Sequence, residues 1–116
     1  MSKSPVEYLR HILDELDYLA ETSAGLGEPD FAKNLTLQKA FVRSLEIVGE
    51  AVKNLPEDFK AKYLEVSWKS YAGLRDRLIH HYFGVDYGIV WDVVSKEAPE
   101  LKGKIETILK KLQSQK

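Results

Sequence analysis

Cysteine is absent from this chain of 116 residues. Its absence excludes a disulfide-stapled scaffold and any thiolate metal centre. It fits a reducing compartment, so a cytoplasmic location is the expectation. Long apolar runs are also missing, which leaves no transmembrane helix, and residues 1–5 lack the apolar stretch of a signal peptide. Nor is there an excess of one charge. Seventeen basic side chains face eighteen acidic ones, which argues against a broad surface for coating nucleic acid. Internal repeats, low-complexity tracts and alternating strand patterns do not occur. What is present is a 44% hydrophobic fraction, too high for disorder. The length suits one domain, residues 1–116, burying roughly 65% of the unfolded surface.

The near-neutral sum hides a gradient. Residues 1–30 hold two basic and seven acidic side chains, whereas residues 96–116 hold six basic and three acidic. Solvated helix faces account for most of this, with a modest basic surface left open toward the C-terminal half.

The pattern predicts helices almost throughout. Ser4, Pro5 and Glu7 form a helix start. Val6, Leu9, Ile12, Leu13, Leu16, Leu19 and Ala20 then follow one buried stripe, which ends before the glycines and proline of 24–30. A second helix runs from about Leu35 to Leu55, with Leu37, Ala40, Phe41, Ser44, Val48, Ala51, Val52 and Leu55 inward. Gly49 in its middle costs roughly 1 kcal/mol against alanine, which points to close approach of another helix. Residues 57–63 suit a short helix or turn. Ser67 caps a third helix expected from Trp68 to His80 or Tyr82, with Gly84 as its stop. Asp86 caps a fourth from Tyr87 to about Glu97, and Pro99 opens a fifth with Leu101, Ile105, Ile108, Leu109 and Leu112 inward. The expected fold class is all-α, an antiparallel four- to five-helix bundle.

On a helical wheel of about 100° per residue, Arg75 falls in the centre of an apolar face made by Trp68, Tyr71, Ala72, Leu78, Ile79 and Tyr82. A guanidinium there needs a partner. Two resolutions stand side by side. Arg75 pairs with an inward carboxylate, Glu50 or Glu46, or the face lines a cleft or subunit interface where Arg75 binds an anion. On an unbroken helix His80 points away from Arg75, so the two meet only if the helix ends or bends between Leu78 and Tyr82, as the nearby Gly84 allows, or across two subunits. Arg75, Asp76, Arg77, His80, His81 and Tyr82 supply a fixed cation, imidazoles that titrate near neutrality and a phenol. These parts suit holding or cleaving a phosphodiester. Tyr63, Trp68, Tyr71, Phe83, Tyr87 and Trp91 are read as core and interface rather than base-stacking platforms. No phosphate-cradling glycine loop, nucleophile elbow or His-Glu-x-x-His set exists, so neither a metal site nor a cofactor is expected.

Arg75-Asp76-Arg77-Leu78-Ile79-His80-His81-Tyr82 resembles the Arg-polar-x3-His motif of the HEPN superfamily. It also resembles the longer Arg-x4-His-x-Tyr form of HepT-like proteins. Residues 44–51, Trp68, the stretches 82–87 and 90–92, and Pro99-Glu100-Leu101 are similar to that family in the same order. The resemblance implies a small HEPN-like bundle that forms a homodimer or higher homo-oligomer. It implies a metal-independent ribonuclease acting as the toxin of a toxin–antitoxin pair, with an RNA substrate and no role for DNA or membrane. It further implies an MntA-like minimal nucleotidyltransferase antitoxin that adds AMP to the motif tyrosine. Carried over, Arg75 and His80 are the catalytic pair, Asp76 supports them, Tyr82 accepts AMP, and Glu50 and His81 are supporting residues. Two other readings remain at this point. One is a non-catalytic nucleotide- or partner-binding subunit of such a transferase, and the other is a purely structural dimer module.

Overall fold

Ser4 starts the helical order. Its side-chain oxygen accepts the Glu7 N–H at 3.3 Å, and Pro5 fills the first turn, where a backbone N–H has no partner to lose. The helix it opens, α1 (Pro5–Ser23), belongs to a computed structural model that describes residues 4–114 except 81 and 83. Leu9, Ile12, Leu16 and Leu19 of α1 are buried. Ala20, expected on the same stripe, is exposed.

A short helix that the periodicity did not announce follows. In α2 (Glu28–Ala32) the Gly27 N–H donates to the Asp30 carboxylate at 3.0 Å. This turn buries Phe31, which stacks on Phe41 with ring centres 5.3 Å apart. Asn34 then caps α3 (Leu35–Asn54), accepting the Leu37 N–H at 3.0 Å. Phe41, Leu45, Val48 and Val52 bury its inner face. Pro56 stops it, and α4 (Glu57–Ala61) follows.

The expected third helix is broken. It appears as α5 (Trp68–Ala72) and α6 (Leu74–Leu78), separated by Gly73 at φ −92° and ψ 14°. Ser67 makes no side-chain cap. Before the break the chain lies close to α3. An added Cβ at Gly49 would stand 3.2 Å from the Tyr71 carbonyl oxygen, so α5 rests directly on the α3 backbone. The close approach expected at Gly49 is therefore there. Beyond Leu78 the chain does not continue helically but folds back. Strand β1 (Ile79–His80) pairs antiparallel with β2 (Gly84–Val85), Ile79 opposite Val85 and His80 opposite Gly84. Gly84, read from sequence as a helix stop, has φ +74°. Without a Cβ it takes this left-handed conformation at the start of β2 at no steric cost.

Asp86 caps α7 (Tyr87–Asp92), accepting the Ile89 N–H at 3.1 Å. The chain then passes through one wide π-helical stretch, Val93–Glu97, into α8 (Ala98–Ser114) without the break expected at Pro99. A proline ring clashes with the carbonyl four residues back. Here that carbonyl belongs to Ser95, inside the π stretch, where the backbone is already wider. Helix α1 packs on α3 and α8, and α5 and α6 pack on α3. Their shared core includes Leu74, Leu78, Val90, Leu101, Ile105 and Ile108. Each such side chain contributes about 1.5–3 kcal/mol on burial. The architecture is the all-α bundle expected, with the hairpin as its one departure among the described residues. No helix among them is long and apolar enough to cross a membrane.

Candidate functional site

The motif begins on α6. Leu74 and Leu78, four residues apart, both point into the core. Their burial turns Arg75 and Asp76 outward, and both are exposed. The expectation that Arg75 sits at the centre of a buried stripe is thus corrected. It assumed an unbroken helix from Trp68, and the Gly73 break resets the phase.

Arg75 lies over a depression between α6 and α3, lined also by Arg43, Glu46, Glu50 and Lys53. The anticipated pairing with Glu46 or Glu50 is not made: no ion pair joins them to Arg75 among the described residues. Glu50 instead approaches Lys53, Oε1 to Nζ, at 3.8 Å. Lys53, Arg75 and Asp76 share a neighbouring depression with Gly73 and Ile79. Arg75 and Lys53 thus place two cations at one accessible spot on the surface.

His80 sits on β1 with its side chain about half exposed, and its Nε2 lies 3.6 Å from Asp86 Oδ2. Asp86 is held in turn by two backbone bonds. Its N–H donates to the Leu78 carbonyl at 2.8 Å, and its Oδ1 accepts the Ile89 N–H. Tyr82 stands in the turn of the hairpin and is 88% exposed. His81 and Phe83 lie outside the described residues. The structure therefore gathers the expected residues in two groups. Arg75, Asp76 and Glu50 border the surface between α3 and α6, while His80 projects from the hairpin beside Asp86. His80 does not line the Arg75 depressions.

Arg77 has a different task. Its guanidinium grips both carboxylate oxygens of Glu97, at 3.0 and 2.6 Å, and donates to Ser70 Oγ at 3.1 Å. The bond to Glu97 raises its pKa further above the usual arginine range. The fork ties α6 to the π stretch. Tyr71, alongside, has its phenol pushed upward by burial first and by the Glu97 and Glu100 charges next.

Three features escaped sequence reasoning. Asp86 was read as a cap alone, its approach to His80 depending on a hairpin that two two-residue strands do not announce. The Arg77–Glu97 fork spans twenty residues with no local signal. Arg43 and Lys53 belong to no motif that would have drawn attention to them. Tyr63, Tyr71, Tyr87 and Trp91 pack against the core and Trp68 is in it, as expected. Among the described residues, no group of three or more His, Cys, Asp or Glu is placed to hold a metal ion.

A family model described as Ribonuclease HepT-like matches residues 12–108. A protein of Caldanaerobacter subterraneus subsp. tengcongensis named "Putative RNase" is 53% identical over 109 residues, spanning 94% of this chain and 97% of the relative. "Probable ribonuclease HepT" of Thermococcus cleftensis is 41% identical, covering 95% of this chain and all of the relative. A Methanocaldococcus jannaschii protein named "Gamma-glutamylcyclotransferase and putative RNase" is 44% identical over the whole chain, which spans 52% of that relative. No solved structure matches.

Proposed function

The chain belongs to the ribonuclease HepT-like family of the HEPN superfamily, and on that premise we propose that it is a metal-independent endoribonuclease, the toxin of a toxin–antitoxin pair. One observation carries this reading. The chain aligns along nearly its whole length with proteins named as ribonucleases, and its Arg75 and His80 are both open to solvent.

The chemistry follows from these groups. An imidazole nitrogen of His80 takes the proton of an RNA 2′-hydroxyl. O2′ then bonds to the adjacent phosphorus and the bond from phosphorus to O5′ breaks. The departing O5′ takes a proton from an imidazolium, either the same histidine or that of a second copy. The products are a 2′,3′-cyclic phosphate and a 5′-hydroxyl. General acid–base help of this kind is typically worth 10²–10⁴-fold. Arg75 neutralises the charge that grows on the phosphate oxygens, and Asp76 beside it supports its placement. Glu50, with its carboxylate turned to Lys53, limits the positive field around Arg75. Because Arg75 and His80 occupy different surface features of one chain, a homodimer that brings two copies of the motif together completes the cleft. The balanced net charge makes RNA binding weak, salt-sensitive and focused on that cleft.

The partner is a minimal nucleotidyltransferase that transfers AMP from ATP to the Tyr82 oxygen, releasing pyrophosphate. Exposure of Tyr82 at the hairpin tip supports access to such an enzyme. AMP there adds bulk and negative charge beside the catalytic groups and repels RNA.

The test uses purified protein, shown by mass spectrometry to be unmodified, on RNA in chelator. Cleavage to cyclic-phosphate ends is expected, and it should stop after incubation with the cognate transferase and ATP as Tyr82 gains one AMP. An unmodified protein that leaves RNA intact contradicts the enzyme reading and favours a partner-binding subunit.

A further inference from the structure

The hairpin brings His80 to a carboxylate that the catalytic motif does not contain. Asp86 follows six residues later, and pairing of β1 with β2 returns it to the base of the hairpin. There two bonds fix it. Its N–H holds the Leu78 carbonyl at 2.8 Å, Oδ1 holds the Ile89 N–H at 3.1 Å, and Oδ2 is left facing His80 Nε2 at 3.6 Å. The two anchoring bonds use the backbone and one oxygen, so the free oxygen has little latitude. At 3.6 Å the two form a close pair rather than a hydrogen bond, and because a carboxylate oxygen only accepts, closing that distance favours the tautomer with its proton on Nε2. In a resting structure such contacts are often long and tighten when the ring is charged. Charged and polar groups on the adjoining elements do not displace this contact. Arg77 is committed to Glu97 and Ser70, and no ion pair from Arg75 or Asp76 reaches His80 or Asp86 among the described residues.

We propose that Asp86 is a positioning residue for His80: it holds the ring with Nε2–H toward Oδ2, so that Nδ1 is the atom that exchanges a proton with RNA. The catalytic part of this assignment rests on the ribonuclease reading above; the pairing does not. In the neutral enzyme Nδ1 bears the lone pair and takes the 2′-hydroxyl proton. The ring then carries both protons, and the Asp86 carboxylate stabilises that cation until Nδ1 gives its proton to the leaving O5′. No proton moves to Asp86 itself. A carboxylate in this role fixes tautomer and orientation, as it does for histidines in other acid–base sites.

Asp86→Asn separates this role from helix capping, because asparagine caps as well as aspartate but turns an amide donor or a neutral oxygen to the ring. Two readouts are needed. The first is the nitrogen NMR spectrum of the His80 imidazole, identified by its loss in His80→Gln. Nε2–H is expected in the wild type and a shift toward Nδ1–H in Asp86→Asn. The second is RNA cleavage. Asp86→Asn should lower kcat by about 10- to 100-fold, a share of what acid–base catalysis supplies, with KM and the unfolding midpoint nearly unchanged. Asp86→Ala should lose stability in addition. The proposal is overturned if His80 keeps its tautomer in Asp86→Asn, or if Asp86→Asn cleaves like wild type while Asp86→Ala does not, since capping alone then explains the residue. Wild-type protein that fails to cleave RNA counts against the ribonuclease reading, and the imidazole spectrum still decides the pairing.

Discussion

At Gly73 the backbone leaves the α-helical region, and that break sets the phase of Arg75, Asp76 and Arg77 on α6. Leu74 and Leu78 claim the core, so Arg75 faces water. Removing an exposed guanidinium or imidazole costs little, within about 0.5 kcal/mol, so Arg75→Ala and His80→Ala should unfold like wild type in urea. Arg77→Ala is expected to behave differently. It strips both bonds from the partly buried Glu97 carboxylate, and a loss of about 1 kcal/mol is expected. Arg77→Lys should recover only part of it, because an ammonium lacks the fork. Urea midpoints of the three proteins check this. These residues could be named from the chain: a cation, imidazoles and a phenol crowd into residues 75–82, and the family resemblance gave Arg75, Asp76, His80 and Tyr82 their expected roles. Their surroundings could not be read there. A wheel drawn through Gly73 placed Arg75 at the centre of an apolar face, and only the folded hairpin reveals what Asp86 faces.

Helices written in long stripes were plain from sequence, since 3.6-residue periodicity over four or five turns has little competition. Ser4, Asn34 and Asp86 cap as their side chains dictate. Short elements were harder. Residues 28–32 form one helical turn around Phe31, and 79–85 form a hairpin too short to show alternation. The joint between α3 and α5 tests the account of Gly49. A valine there drives branched carbons into the Tyr71 carbonyl, already 3.2 Å from a bare Cβ. Gly49→Val should cost about 1–3 kcal/mol by thermal or chemical unfolding, and through α5 it should disturb Arg75. Tyr71 on the same joint gives a pH signature. Its phenol is pushed upward by burial and then by Glu97 and Glu100, so the folded chain holds this proton more tightly than the unfolded chain. Its contribution is complete below the ordinary phenol range near pH 10 and is lost as pH rises through the folded value. Unfolding free energy should therefore fall less steeply above about pH 10 in Tyr71→Phe than in wild type.

Taken whole, the molecule measures 47 × 32 × 26 Å and offers shallow depressions in place of a deep cleft around Arg75. In the reading proposed above, a second copy completes a pocket from two Arg75–His80 motifs. The absence of any strong net charge, which argued against a nucleic-acid-coating surface, sits comfortably with a small enzyme that grips phosphate at one composite cleft. Light scattering should find a dimer. Mixing Arg75→Ala with His80→Ala should restore cleavage in part if each cleft draws its arginine and histidine from different subunits. The most direct measurement compares unmodified wild type, Arg75→Ala and His80→Ala on RNA in chelator. Wild type should cleave, and each variant should be slower by about 100-fold or more with an unchanged unfolding midpoint. Equal cleavage by all three proteins, or none by wild type, contradicts the assignment.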